Sequence, residues 1–217
     1  MFETVSAMSG RVRVIDYRRE RRLVVRGAIL SVLPLDGEWS AVEREYWWHA
    51  LTRVTFRPRP TALLVGLGGG TQAHLLARVT SPRLITAVER DPVILRVAND
   101  WFGLGALGPM EFVCAEASAA MQAFARQRRR FDFIMEDAAY GDERARAMPL
   151  AIGLATLVAP GGTLVVNRHR RGDAHELAEA LAFAFEDVRL RRVRREAENV
   201  LVCCTRPIRR RTNPGSA

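Results

Sequence analysis

Four glycines stand within the five residues 66–70. They follow the apolar run TALLV and precede a helix-like run. Because glycine has no side chain, a ligand can approach the main chain at such a loop. The helix that follows adds free N–H groups and the positive end of its dipole. The pattern predicts a cofactor site lined by Gly66, Gly68, Gly69 and Gly70. A tight turn with close helix–strand packing is the structural alternative.

The spacing of these glycines separates two kinds of cofactor. The dinucleotide pattern G-x-G-x-x-G requires glycine at position 71, where this chain has Thr71. The shorter G-x-G-x-G is met by Gly66, Gly68 and Gly70, and it is more usual for S-adenosylmethionine. The loop therefore favours an S-adenosylmethionine-type site over a nicotinamide site.

Acidic residues follow the next three predicted strands. Glu89 comes 19 residues after the last glycine of the loop, and a carboxylate at about that distance can accept from both hydroxyls of a ribose. Glu116 could accept from an adenine amino group or cap the following helix. Asp137 precedes the loop AAYGDE, which favours a role at the reacting end of the ligand. The adjacent Arg90 and Ala117 complete the predicted cofactor site.

The segments that carry these residues alternate between strand and helix patterns. Five such alternations over residues 61–167 predict a mostly parallel sheet covered on both faces, a Rossmann-like α/β fold. Two later apolar segments, DVRLRRVRR and NVLVCCT, predict an antiparallel C-terminal hairpin. Ligands of such sheets bind at the carboxyl ends of the strands, where the strand order reverses. The glycine loop and the three acids all fall at these ends.

The N-terminal part has a different pattern. Short apolar stretches between Arg11 and Ser31 predict two or three strands, and SAVEREYWWHALTRV predicts a helix from about Ala41. We therefore predict three units along the chain. They are a small β segment plus a helix over residues 1–56, a cofactor-binding domain over 57–206, and a disordered basic tail over 207–217.

Composition narrows the function classes. All 33 basic residues are arginine, which excludes a Schiff-base lysine and a P-loop lysine. The net charge of +9 by itself indicates only non-specific attraction, so nucleic acid is not favoured as a partner. The three cysteines and four histidines lack metal-ligand spacing, which predicts no metal. No signal-peptide pattern or unbroken membrane span is present, so a cytoplasmic protein is predicted.

Four segments together resemble the spermidine synthase family of aminopropyltransferases. They are LLVGLGGGT, ITAVERDPVILRVANDWFGL, FDFIMEDA and APGGTLVVN, and the likeness extends over nearly all of residues 11–205. The most specific piece is VERDP after the glycine loop. The resemblance implies a class I methyltransferase fold with a small N-terminal β domain. It also implies S-adenosylmethionine or its decarboxylated form as co-substrate.

The resemblance also implies residue roles. The glycine loop would line the cofactor, Glu89 would hold the ribose and Glu116 would face the adenine. Asp137 would be the catalytic general base that takes a proton from the attacking amine. Because the family often dimerises, a homodimer is an implied expectation.

The chain departs from the family pattern where the acceptor would bind. Gly69 stands where the family carries an acid within its glycine loop, and Trp48-His49-Ala50 stands for its Tyr-His/Gln-Glu cluster. The second acid of the family's D-S-S-D-P motif is also missing from DAAYG. A polyamine needs carboxylates along its groove. We therefore predict that the cofactor pocket is retained and the polyamine groove reduced.

Three hypotheses of function remain at this point. The favoured one is a transferase that moves an aminopropyl or methyl group to an amine or another small acceptor. The alternative is a catalytically inactive cofactor-binding or scaffold protein of the same fold. An NAD-dependent oxidoreductase is disfavoured by Thr71 and by the terminal hairpin.

Overall fold

The computed structural model describes residues 1–138, 144–169, 171–194 and 198–208. The predicted basic tail lies outside these residues from position 209, as do residues 195–197 of the predicted hairpin turn. Acidic residues 142 and 143, in the loop after Asp137, also lie outside them. Within the described residues, no helix has the length and apolar character that crossing a membrane requires.

The N-terminal residues form an antiparallel four-stranded sheet in simple sequential order. Its strands are β1 (Phe2–Ser6), β2 (Gly10–Asp16), β3 (Glu20–Val25) and β4 (Ala28–Pro34). β1 was missed by the sequence analysis, which predicted two or three strands from Arg11 onwards. Only one of the five residues of β1, Ser6, is buried, and it is polar. The strand therefore has no clear apolar pattern in the sequence.

The single long helix predicted from about Ala41 is wrong. The segment instead forms a 3-10 turn (Val42–Arg44) and a one-turn helix α1 (Tyr46–His49). The break falls at Glu45, whose backbone is extended (φ −92°, ψ 164°). Apolar residues at helical spacing are therefore divided between two short turns, which pack into the same apolar cluster.

The remaining strands form one seven-stranded sheet, covered on both faces by helices. Its strands are β5 (Thr61–Val65), β6 (Leu84–Glu89), β7 (Met110–Cys114), β8 (Phe131–Glu136), β9 (Val158–Arg168), β10 (Phe185–Arg194) and β11 (Glu198–Pro207). Its helices are α2 (Thr71–Val79), α3 (Pro92–Phe102), α4 (Ala117–Arg126), α5 (Arg144–Ala155) and α6 (Arg171–Leu181). The predicted α/β fold is confirmed.

The strand order is β10-β11-β9-β8-β5-β6-β7. β5 to β9 run parallel, and β11 and β10 add the antiparallel hairpin. The chain moves outward from β5 through β6 to β7 and then returns to the other side of β5 with β8. The order therefore reverses between β5 and β8, which is where sheets of this type bind ligands.

The N-terminal sheet is attached to the glycine loop through specific hydrogen bonds. The Gly69 N–H donates to the Ser31 hydroxyl (2.7 Å). The Thr71 hydroxyl accepts from the Val32 N–H (2.8 Å) and donates to the Val32 carbonyl (2.9 Å). An apolar cluster that includes Val14, Leu23 and Phe102 joins this sheet to α3. The small sheet thus forms one wall above the strand ends.

Candidate active site at the carboxyl ends of the strands

A cavity of about 910 Å³ lies between the N-terminal sheet, α1 and the carboxyl ends of the central strands. Seven of the nine residues predicted for the site line it. These seven are Gly66, Gly68, Glu89, Arg90, Glu116, Ala117 and Asp137. The strand register explains their convergence, because Val65 lies opposite both Val88 and Glu136, so that the residues following these strands meet at one level.

Gly69 and Gly70 do not line the cavity and instead contact other parts of the protein. A Cβ at position 69 would lie 2.9 Å from the Phe102 ring and from Ser31, and one at position 70 would lie 2.4 Å from Leu104. Both N–H groups are bonded within the protein, to the Ser31 hydroxyl and to the Leu67 carbonyl. These two glycines therefore allow close packing of α3, the following turn and β4 on the loop.

Gly66 is required by a close approach of two strand ends. Its φ is +90°, and a Cβ there would lie 2.9 Å from the Ala138 nitrogen. A side chain would push the residues after β8 away from the loop after β5. Glycine at this position thus allows Asp137 to lie beside the glycine loop.

Glu89 is half-buried at the end of β6 and faces the cavity. One carboxylate oxygen accepts from the Leu67 N–H (3.3 Å), and the other accepts from the Asp91 N–H (3.0 Å). Burial raises the pKa of the Glu89 carboxyl, although the backbone N–H groups of Asp91, Leu67 and Gly68 oppose the shift. Because a carboxylate has about four lone-pair positions, Glu89 keeps acceptor capacity beyond these main-chain bonds.

Arg90 and Glu116 stand at the rim. Their charged groups are 3.7 Å apart, and each side chain is about half exposed. Glu116 precedes α4, but its side chain does not cap this helix. Asp91, by contrast, caps α3, since its carboxylate accepts from the Val93 N–H (2.9 Å). Glu116 therefore does not serve as a helix cap, and its carboxylate lies at the mouth of the cavity.

Asp137 is held by side chains from distant parts of the chain. One oxygen accepts from the Tyr46 hydroxyl (2.5 Å) and the other from the Asn167 amide (2.8 Å). The Asn167 amide also donates to the side-chain oxygen Oδ1 of Asn199 (3.0 Å). This chain of contacts fixes the direction of the Asp137 carboxylate in the cavity.

Burial raises the pKa of Asp137 to about 6, against the opposing effect of the hydrogen bonds from Tyr46 and Asn167. Beneath it, Glu136 and Arg168 form an ion pair (2.5 Å) with almost fully buried side chains. Their charges act on Asp137 in opposite directions. Asp137 is therefore ionised at neutral pH, while its affinity for a proton exceeds that of an ordinary aspartate.

Three of these contributors were missed by the sequence analysis: Tyr46, Asn167 and Asn199. The sequence analysis matched the family's Tyr-His/Gln-Glu cluster to positions 48–50. Those residues do not line the cavity, whereas Tyr46 does. His49 instead contacts Arg191 of β10 (2.6 Å). A polar residue ending the apolar run GGTLVV was a signal that could have pointed to Asn167.

Comparisons with known proteins bear on the fold and on the family resemblance. No family model matches the chain. A polyamine aminopropyltransferase of Vibrio vulnificus is 26% identical over 121 residues, which cover 54% of this chain and 40% of that relative. The match thus spans less than half the length of the curated relative.

Two solved structures show the fold. A probable spermidine synthase from Corynebacterium glutamicum has a TM-score of 0.76 at 18% identity, over 94% of this chain and 79% of that one. Human methyltransferase-like protein 13, in complex with SAH, has a TM-score of 0.58 at 26% identity, over 73% of this chain and 77% of that one.

The fold and the site define a protein of the class I methyltransferase-like type, with its cavity at the point of strand reversal. Within that type, the resemblance to spermidine synthases predicted from the sequence is confirmed by a curated relative and by a structure that covers most of both chains.

Proposed function

We propose that this protein transfers an aminopropyl group from decarboxylated S-adenosylmethionine to an amine acceptor. The observation that carries the proposal is the pairing of two carboxylates in one cavity, Glu89 beside the glycine loop and Asp137 with its raised pKa. The name of the curated relative, a polyamine aminopropyltransferase, supports the same activity.

The residues of one end of the cavity fit a nucleoside. Glu89 lines the cavity and keeps acceptor capacity on its carboxylate, which suits the hydroxyls of a ribose. Glu116 at the rim would accept from the adenine amino group, with Arg90 and Ala117 beside it. Gly66 and Gly68 line the cavity, so the loop main chain lies beside the proposed nucleoside.

The chemistry needs alignment and one proton acceptor. The co-substrate supplies a carbon activated by the adjacent sulfonium sulfur. The amine nitrogen forms a bond to that carbon while the carbon–sulfur electron pair returns to sulfur. Asp137 takes the proton that the nitrogen must lose, and Tyr46 and Asn167 keep its carboxylate oriented.

Methyl transfer is the second candidate, because two observations favour it. Human methyltransferase-like protein 13 was solved with SAH and is 26% identical to this chain. The glycine loop here also lacks an acid that could hold the ammonium of an aminopropyl group. Both reactions use the same nucleoside end and differ in which carbon beside the sulfur is attacked.

Calorimetry and mass spectrometry separate these reactions. We expect the full chain to bind decarboxylated S-adenosylmethionine more tightly than S-adenosylmethionine, and an amine incubated with it to gain the mass of an aminopropyl group. A mass gain of one methyl group from S-adenosylmethionine would favour the second candidate. A folded protein that binds neither nucleoside would contradict both.

A further inference from the structure

In the part of the chain that the structure describes, three buried side-chain atoms have no hydrogen-bond partner. They are Nε2 and Oε1 of Gln72 and Oδ1 of Asn167. Gln72 is 7% exposed, Asn167 is 1% exposed, and both line the same cavity. A buried amide without partners destabilises a fold. Three unpaired amide atoms around one cavity therefore indicate groups kept for a ligand.

Gln72 lines the same cavity as Tyr46, Asn167 and Asp137. It lies in the first turn of α2, which packs in one apolar cluster with Trp47, Leu64 and Met135, and all three line the cavity too. Tyr46 precedes Trp47, and its hydroxyl contacts the Asp137 carboxylate. Glu89 and Glu116, by contrast, follow the strands on the other side of β5.

The hydrogen-bonding capacity of these groups restricts the ligand. The Asn167 amide nitrogen is occupied by Asp137 and Asn199, so its oxygen remains as an acceptor close to the Asp137 carboxylate. These two acceptors suit the N–H groups of one primary amine. The Gln72 amide offers one donor and one acceptor side by side, which suits a carboxamide or a hydroxyl.

The charges of the described lining residues point the same way. The acidic residues that line the cavity are Glu89 and Glu116 at the nucleoside end and Asp137 at the acceptor end. Glu136 is paired with the buried Arg168 and is not part of the lining. A diamine would bring a second ammonium to the neutral Gln72 and leave its N–H donors opposed to a donor.

We propose that the acceptor is a primary amine whose far end carries an uncharged carboxamide or hydroxyl group, and that Gln72 recognises that group. Asp137 and the Asn167 oxygen bind the amine. This inference rests on the proposed function, since it assigns the acceptor of the same site.

A matched set of four-carbon amines tests the inference: 4-aminobutanamide, 4-amino-1-butanol and 1,4-diaminobutane. Each is titrated calorimetrically into the full chain saturated with 5′-methylthioadenosine. We expect the amide or the alcohol to bind about tenfold more tightly than the diamine. Gln72→Glu should reverse this preference, because a carboxylate attracts the second ammonium, and Gln72→Met should abolish it.

Thermal unfolding separates recognition from a structural role. Gln72→Met removes two unpaired polar atoms, so the melting temperature of the variant without ligand should rise by about 2–4 °C. The matched control Gln127→Met replaces an exposed glutamine that does not line the cavity, and should change neither property.

Three results would overturn the inference: tighter binding of the diamine by the unmodified chain, an unchanged preference in both Gln72 variants, or no binding of any amine while 5′-methylthioadenosine binds. Failure to bind 5′-methylthioadenosine, decarboxylated S-adenosylmethionine and S-adenosylmethionine would instead remove the proposed function on which the inference rests.

Discussion

The two ends of the cavity hold their carboxylates in different ways. Glu89 is held by main-chain N–H groups of Leu67 and Asp91, whereas Asp137 is held by the side chains of Tyr46 and Asn167. A main-chain donor is present whatever residue occupies the position, but a side-chain donor requires a particular residue on another element. The position of the Glu89 carboxylate therefore depends on the main chain nearby, whereas that of Asp137 depends on particular residues of other elements. We call these the nucleoside end and the acceptor end, after the proposed function.

The largest expected effect is the loss of kcat when Asp137 can no longer accept a proton. Asp137→Asn keeps the shape of the side chain and cannot take a proton, so kcat should fall by about 10²–10⁴-fold. Because Asp137 lies at the acceptor end, calorimetry should show nucleoside affinity within about twofold of the unmodified chain. Retained turnover in this variant would remove Asp137 from the mechanism.

Glu89→Gln should give the opposite pattern. Loss of the charged acceptor for the ribose hydroxyls should weaken nucleoside binding by about 10–100-fold. At saturating nucleoside, kcat should change much less, because Asp137 is untouched. Calorimetry and initial rates on the same preparation measure both quantities, and equal losses in the two variants would show that the ends do not act separately.

The pH profile sharpens the comparison at the acceptor end. Asp137 must be ionised to accept a proton, so kcat/KM should fall as pH decreases through about 6. The Tyr46 hydroxyl lowers the pKa of Asp137. Tyr46→Phe should therefore move this acidic limb to higher pH.

Tyr17→Phe serves as the control for that shift, since Tyr17 is exposed in the N-terminal sheet region and does not line the cavity. Its profile should match the unmodified chain. An acidic limb that stays in place in Tyr46→Phe would mean that the contact with Asp137 does not govern the titration.

The smallest effect is expected at the rim. Glu116 is half exposed and lies 3.7 Å from Arg90, so solvent screens its charge. Glu116→Gln should change nucleoside affinity by less than about threefold. A loss as large as that of Glu89→Gln in calorimetry would place Glu116 among the main binding groups.

Local pattern determined much of the fold. The β5-to-β9 alternation, the hairpin and the acids at the strand ends could all be predicted, because each depends on periodicity within a short segment. The helix predicted from Ala41 failed for the same reason, since periodicity does not report a break such as that at Glu45. The glycine loop could be predicted, but the Phe102 and Leu104 contacts that explain Gly69 and Gly70 could not.

The sequence by itself determined the strand–helix alternation from β5 to β9 and that glycines and carboxylates would collect at one edge of the sheet. Only the tertiary structure decided what surrounds Asp137, because the hydrogen bonds to it come from residues 91 and 30 positions away. Strand register and the packing of α1 bring those residues together. No local pattern specifies such pairings, which fix the direction of the carboxylate, or the burial that raises its pKa.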